Sequence, residues 1–385
     1  MLSLNPFYIL FLFYLIVNFI FMIVGFNTNY VEIELDIFDL KSSSFIIAFI
    51  IQLFVCIFIF LFFYFFYKRK NKKINIIGDK GAIFLLTLQT LFLFYNFIFD
   101  VNIAGVSAKS SNEILNLFFI LLPADLFYLI LSPYIVSNKL FRLNTALYII
   151  SNTLRGWAGV VLLAFFVALC RKETIKVSLK TIFNYSFIVI FVFLLLPYLI
   201  QIKWVVRSDG NIFEAINMVN EVGYLKLLEE SFNYLFNRFQ HNYHVALLWE
   251  NYSQLKLQYE KGGILPYWQE GILQNIIAST LGLDRPPMLG NEMAHILFSS
   301  KDSWSSNPGL SGWLIVLQEK FFLFILYICL ILFIGFYTAA KYFDNRMVLT
   351  LGVFSIFYLF HGWIAMYVTM ITYLLIISFI RRAKI

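Results

Sequence analysis

Charge is what this chain of 385 residues most conspicuously lacks: only 13% of it is Asp, Glu, Lys or Arg, against about a quarter in a soluble globular domain. With 61% hydrophobic residues, that deficit excludes a water-soluble enzyme and a disordered chain alike. Cysteine is nearly absent too. Cys56, Cys170 and Cys329 each lie in or at the end of an apolar run, which supplies neither a disulfide framework nor a metal-ligand set. Nucleotide and metalloprotease motifs are missing: there is no G-x-x-x-x-G-K-[ST], no G-x-G-x-x-G and no H-E-x-x-H, so nothing here is driven by ATP and no cofactor is implied. No basic stretch precedes the first apolar run and no small-residue cleavage site follows it, so that run is expected to be a retained span rather than a signal peptide. Internal repeats are absent as well.

What the chain does have is hydrophobic length. A membrane-crossing helix needs about 20 apolar residues, and helix is forced because lipid offers the backbone no hydrogen-bond partners. Runs at 7–26, 44–67, 82–104, 115–135, 181–205, 317–340, 347–361 and 363–380 meet or approach that length, and two shorter ones, 140–153 and 157–170, flank Arg155. The expected class is therefore an all-α polytopic membrane protein of about ten transmembrane helices. Seven fall in residues 1–205 and three in 312–385, with one long, largely helical loop over 206–311.

Orientation follows the basic residues of short loops, which stay cytoplasmic. The block Lys68-Arg69-Lys70-Asn71-Lys72-Lys73 fixes one loop, and 136–143, 171–180, 341–346 and Arg381-Arg382-Ala383-Lys384 agree with it. Loop 27–43, with Glu32, Glu34, Asp36 and Asp39, falls on the other side. Both termini are thus expected inside and 206–311 outside. The net charge of +7 is accounted for by these loops, so no nucleic-acid partner is inferred. Within the outer loop, apolar Leu235, Phe239, Val245, Leu248 and Leu255 recur at helical spacing, predicting an amphipathic helix over 212–260 that stops at Gly262-Gly263.

Candidate chemistry gathers on arginines and histidines. Arg155, between two apolar segments, either snorkels to lipid phosphate or holds an anionic ligand. Arg238 reads as part of a solvated helix face, although a guanidinium also gives a two-donor fork for phosphate. His241 is expected on that same helix face, with His244 three residues on. The pair offers no third ligand for a metal, so none is assigned. His295 is either an ordinary half-buried histidine or a general base near neutral pH. Asp125, inside a span, serves a proton relay or pairs with a neighbouring helix.

Three local patterns then resemble the bacterial O-antigen and capsular polysaccharide polymerases, the Wzy family, which are related to the O-antigen ligases. Leu154-Arg155-Gly156-Trp157, an apolar span and Arg171-Lys172 are similar to that family's Ser-Arg-Gly, span and basic element. Arg238, followed by a helix closing at Gly262-Gly263, is similar to its second arginine. Arg285-Pro286-Pro287, Gly290, and then Ser305-Ser306-Asn307-Pro308-Gly309-Leu310-Ser311-Gly312 resemble its Lys-Pro and Pro-Gly stretches. Ala294-His295-Ile296 is the nearest approach to the ligases' Ala-His-Asn pattern.

The resemblance implies a GT-C-like fold in the bacterial inner (plasma) membrane. It implies a metal-independent glycosyltransferase that polymerises oligosaccharide repeat units for lipopolysaccharide or capsule. Donor and acceptor are linked to undecaprenyl pyrophosphate. Membrane lipid and, where one exists, a chain-length regulator complete the partners. Arg155, Arg238 and Arg285 would hold the pyrophosphate. His295 would be the base, with His241, His244 and Asp302 behind it. The alternatives are an O-antigen ligase and a repeat-unit flippase, which would be longer, built of two similar halves and without a large outer loop.

Overall fold

The computed structural model describes residues 3–33, 36–67, 77–103, 110–157, 159–176, 178–207, 210, 212–283, 285–298 and 305–382. The basic block at 68–73 and Asp302 lie outside the described residues. The protein is about 81% helical. Its strands are limited, among the described residues, to two short antiparallel pairs, Ser3–Leu4 with Ile175–Lys176 and Tyr30–Ile33 with Asp36–Asp39. It is an all-α membrane protein. Six helices among the described residues are long and apolar enough to cross a bilayer: Pro6–Thr28, Ser42–Tyr67, Asp79–Phe99, Glu113–Tyr134, Val189–Arg207 and Gly309–Tyr342. The other runs expected to cross are helical but shorter, as at Asn138–Thr153 and Val160–Lys172.

Two compact units make up the chain. The first comprises Met1–Pro6 and Lys73–Leu235. Asp79–Phe99 packs along Asn138–Thr153, and the seam is pinned by Gln89, which donates to Asn144 at 2.8 Å. The run expected over 115–135 is broken: Glu113–Leu121 and Ala124–Leu131 meet at Pro123, because proline offers no N–H and disfavours helix before it. Leu88, Phe92, Tyr95, Phe119 and Ala124 form the core beside that break.

The second unit comprises Phe7–Lys72 and Phe236–Ile385. At its centre lies Asn345–Phe354, continued by a π-helical stretch Ser355–Phe360, with every residue from Met347 to Phe360 buried. A helix apolar all round belongs inside, and Ser42–Tyr67, Phe321–Tyr342 and Ile364–Arg382 enclose it. Its start is capped by Asp344, which accepts from Arg346 N at 3.0 Å and pairs with the Arg346 guanidinium at 2.7 Å.

The amphipathic helix expected over 212–260 is four helices instead: Ile212–Val222, Tyr224–Phe239, Asn242–Glu250 and Tyr252–Glu260. The periodicity continues through the breaks, but the backbone does not. Gly223 has φ +100, and His241 and Asn251 sit at non-helical angles. Gly262, with φ +77, ends the last of the four, where the glycine pair was expected to act.

Candidate active site

The break at 239–242 gathers the unused backbone groups of two helix ends, which need partners. One side chain from a hydrophobic helix supplies them. Asn18 Nδ2 donates to Phe239 O at 3.2 Å and to Tyr14 O at 2.9 Å, while its Oδ1 accepts from the N–H groups of His241 and Asn242 at 2.8 and 3.2 Å. Asn242 Nδ2 then donates to Phe45 O at 3.0 Å. Fixed in this way, His241 turns inward rather than lining one face with Arg238, which corrects the shared-helix expectation.

The stretch around Ser306 and Asn307 meets it. His241 Nδ1 donates to Asn307 O at 2.9 Å. His244 Nδ1 bonds Ser306 Oγ at 2.8 Å, and that hydroxyl donates onward to Met293 Sδ at 3.4 Å. Two glycines admit the stretch. A β-carbon on Gly290 would stand 2.2 Å from Ser306 O, and one on Gly309 would stand 2.1 Å from Phe360 O. Gly309 also has φ +67, so a side chain there is strained as well as blocked.

The third histidine arrives from the end of the π-helical stretch, a feature frequent at functional sites. His361 Nε2 meets the Tyr14 hydroxyl at 2.6 Å. Its ring stands edge-on to that of His241 with centroids 4.2 Å apart, and Trp363 stacks on it at 5.0 Å. His241, His244 and His361 are all buried, whereas Arg238 is half-buried in the last turn of its helix. The Arg238 charge bears on all three rings.

Burial pushes His241 down to about 4, with the Asn307 bond opposing and Arg238 adding to the fall. It pushes His244 down to about 3, helped by His241 and Arg238. Both are neutral bases at pH 7. No three His, Cys, Asp or Glu side chains among the described residues converge as a metal-ligand set.

His295 and Arg285 make none of these contacts, and Arg155 belongs to the first unit. His295 is exposed on Leu289–Leu297. Met293 faces Ser306, and two residues further on the helix has turned roughly half a revolution away. Arg155, in the first unit, is buried and paired with Asp125. It donates through Nε to Ser151 O at 3.2 Å and through Nη2 to Asn152 Oδ1 at 2.8 Å, over the Phe92 ring at 4.9 Å. Asp125 is therefore a pairing partner, the second of the two readings open to it.

Arg285 donates to Gln269 O at 2.7 Å and Asn275 Oδ1 at 2.5 Å. Beside it Glu270 is 2% exposed. Burial pushes its carboxyl up to about 8, against the Ala365 backbone bond and the Arg285 charge. A cavity of about 600 Å³ in the same unit, lined by Tyr259, Pro266, Gln269, Pro286 and Lys320, includes none of the histidines.

Tyr14, Asn18, Ser306, Asn307 and Glu270 carry no role in the reading of the bare chain. The signal for Asn18 was available: a polar amide inside an apolar run seldom stands there without a partner. No family model, no curated protein and no solved structure matches this chain.

Proposed function

We propose that the protein is a glycan polymerase of about ten crossings, with residues 206–311 on the outer face of a bacterial inner membrane and both termini cytoplasmic. It joins oligosaccharide repeat units carried on undecaprenyl pyrophosphate. The observation that carries this reading is the gathering of Arg238 with three buried imidazoles, of which His241 and His244 are neutral at pH 7. A cation beside uncharged bases suits a reaction in which an anion departs and a hydroxyl loses its proton.

In that reaction the acceptor hydroxyl oxygen bonds to the anomeric carbon of the donor. The carbon–oxygen bond to pyrophosphate breaks, its electron pair stays on the pyrophosphate, and the hydroxyl proton passes to an imidazole. The activated glycosyl phosphate supplies the energy. Arg238 stabilises the charge growing on the leaving group. The arriving pyrophosphate raises the basicity of nearby histidines, so the base gains strength only in the loaded site.

Of the three arginines, Arg238 is the one whose charge bears on all three imidazoles, and this supports ranking it first for the pyrophosphate. Among the bases, His241 precedes the exposed His295. Arg238→Ala, expressed in the source organism in place of the native copy, is expected to cut polymer by about 10²–10³-fold, the effect of losing one charge-stabilising donor. Arg238→Lys is expected to fail as well, because a point charge does not replace a fork. A wild-type ladder of surface glycan from Arg238→Ala removes that arginine from the reaction.

A further inference from the structure

Two ring nitrogens of the histidine cluster are buried without a partner: Nε2 of His241 and Nδ1 of His361. Their rings stand 4.2 Å apart. Each ring is set from its other side. The Asn307 carbonyl can only accept, so His241 carries its proton on Nδ1 and presents a lone pair at Nε2. Tyr14 is fully buried, and its hydroxyl reaches His361 Nε2 at 2.6 Å. A buried phenolic hydrogen is costly to leave without an acceptor, so Tyr14 donates, Nε2 accepts, and His361 carries its proton on Nδ1.

The two open nitrogens are thus one acceptor and one donor, on rings in edge-to-face contact. Phosphate and carboxylate only accept, and an ammonium only donates. An alcohol hydroxyl does both.

We propose that His241 Nε2 and the N–H at His361 Nδ1 together bind a single sugar hydroxyl, and that Tyr14 is a positioning residue holding His361 in the donor tautomer. The identity of the alcohol rests on the glycan-joining reading; the hydroxyl site itself rests on the ring geometry. Under that reading the hydroxyl gives its proton to His241 Nε2 as its oxygen attacks. The His361 N–H occupies one oxygen lone pair and leaves the other for the new carbon–oxygen bond.

The test is solid-state NMR of the full-length protein, ¹⁵N-labelled at histidine, in lipid nanodiscs. Both rings are expected to be protonated at Nδ1. Tyr14→Phe is expected to turn His361 into a mixture of tautomers and to leave His241 as it was, a change that mere packing would not produce. His361 protonated at Nε2 in the unmodified protein overturns the proposal.

Oligosaccharides released from the source organism's own surface glycan are expected to shift both open nitrogens. A site that holds only a structural water would show no shift, and inorganic pyrophosphate shifting them instead would show an anion site; either overturns the proposal. In polymer synthesis, His361→Asn keeps an N–H near the Nδ1 position and is expected to stay within about tenfold of the unmodified protein, the worth of one hydrogen bond. His361→Leu is expected to fall below His361→Asn, and equal ladders from the two overturn the donor role. His241→Asn, which removes the base, is expected to lose about 10²–10⁴-fold. Should the unmodified protein make no polymer, the glycan reading fails while the NMR still decides the hydroxyl site.

Discussion

Arg155 and His241 are both buried ionisable groups, and the units that hold them treat the problem of charge differently. In the first unit the guanidinium keeps its charge and is matched by Asp125, Asn152 and the Ser151 carbonyl. In the second, His241 and His244 give up the charge and stay neutral, and His241 Nε2 and His361 Nδ1 are left open. Both solutions avoid an unpaired buried ion. They differ in what remains for chemistry. Pairing commits the guanidinium and ties Ala124–Leu131 to the end of Asn138–Thr153, whereas the second arrangement leaves an open lone pair and an open N–H on adjacent rings. A lock tolerates replacement by any well-packed alternative; an open pair does not.

The contrast breaks first at Asp125. Removing one partner of a buried ion pair costs about 3–5 kcal/mol. The Asp125 side chain is 31% exposed, so water takes up part of the loss, and Asp125→Asn is expected to cost about 2–3 kcal/mol, read as a lower melting temperature in nanodiscs. Arg155→Met with Asp125→Leu is expected to recover most of it. A single mutant that melts with the unmodified protein would show that the pair locks nothing. A smaller loss, about 1–3 kcal/mol, is expected from Asn18→Leu, which strands buried N–H and C=O groups at the helix break. Because Asn18 also aims His241, polymer synthesis should fall in this variant by more than its stability does, and equal declines would reduce Asn18 to a structural cap.

How much of this was legible in the bare chain follows from what each signal measures. Hydrophobic length gave the helices, since lipid leaves the backbone no alternative. Periodicity gave helix over 212–260 but not its breaks, because the apolar rhythm runs on through Gly223 and His241 while only tertiary partners such as Asn18 decide where the backbone turns. Arg238, His241 and His244 were visible as neighbours in sequence. Tyr14 and His361, 347 positions apart, were not, and no single-chain pattern joins them. His295 drew attention by its motif, yet a two-residue step from Met293 turns it outward. The pairing of Asp125 with Arg155 was one of two open readings, and the first unit's packing favours it.

The last predictions concern pH and separate two limbs within the second unit. His241 and His244 titrate near 4 and 3 when folded and near 6.5 when unfolded. Across roughly pH 4–6.5 the unfolded chain therefore binds protons that the folded chain refuses. Their stability contribution is complete above about 6.5 and is lost as pH falls, by up to about 1.4 kcal/mol per pH unit for each ring. Glu270 slopes the other way. Its folded value of about 8 lies above an unfolded value near 4.3. The folded chain then holds a proton that the unfolded chain has released, and the stabilisation present at low pH is lost as pH rises toward 8. Glu270→Gln keeps the neutral shape and is expected to flatten the alkaline limb of melting temperature against pH while leaving the acid limb. His241→Asn with His244→Asn is expected to do the reverse. If Glu270→Gln left the alkaline fall intact, that carboxyl would be ionised in the folded protein and held by Arg285, and the second unit would pair its buried charge there just as the first does at Arg155.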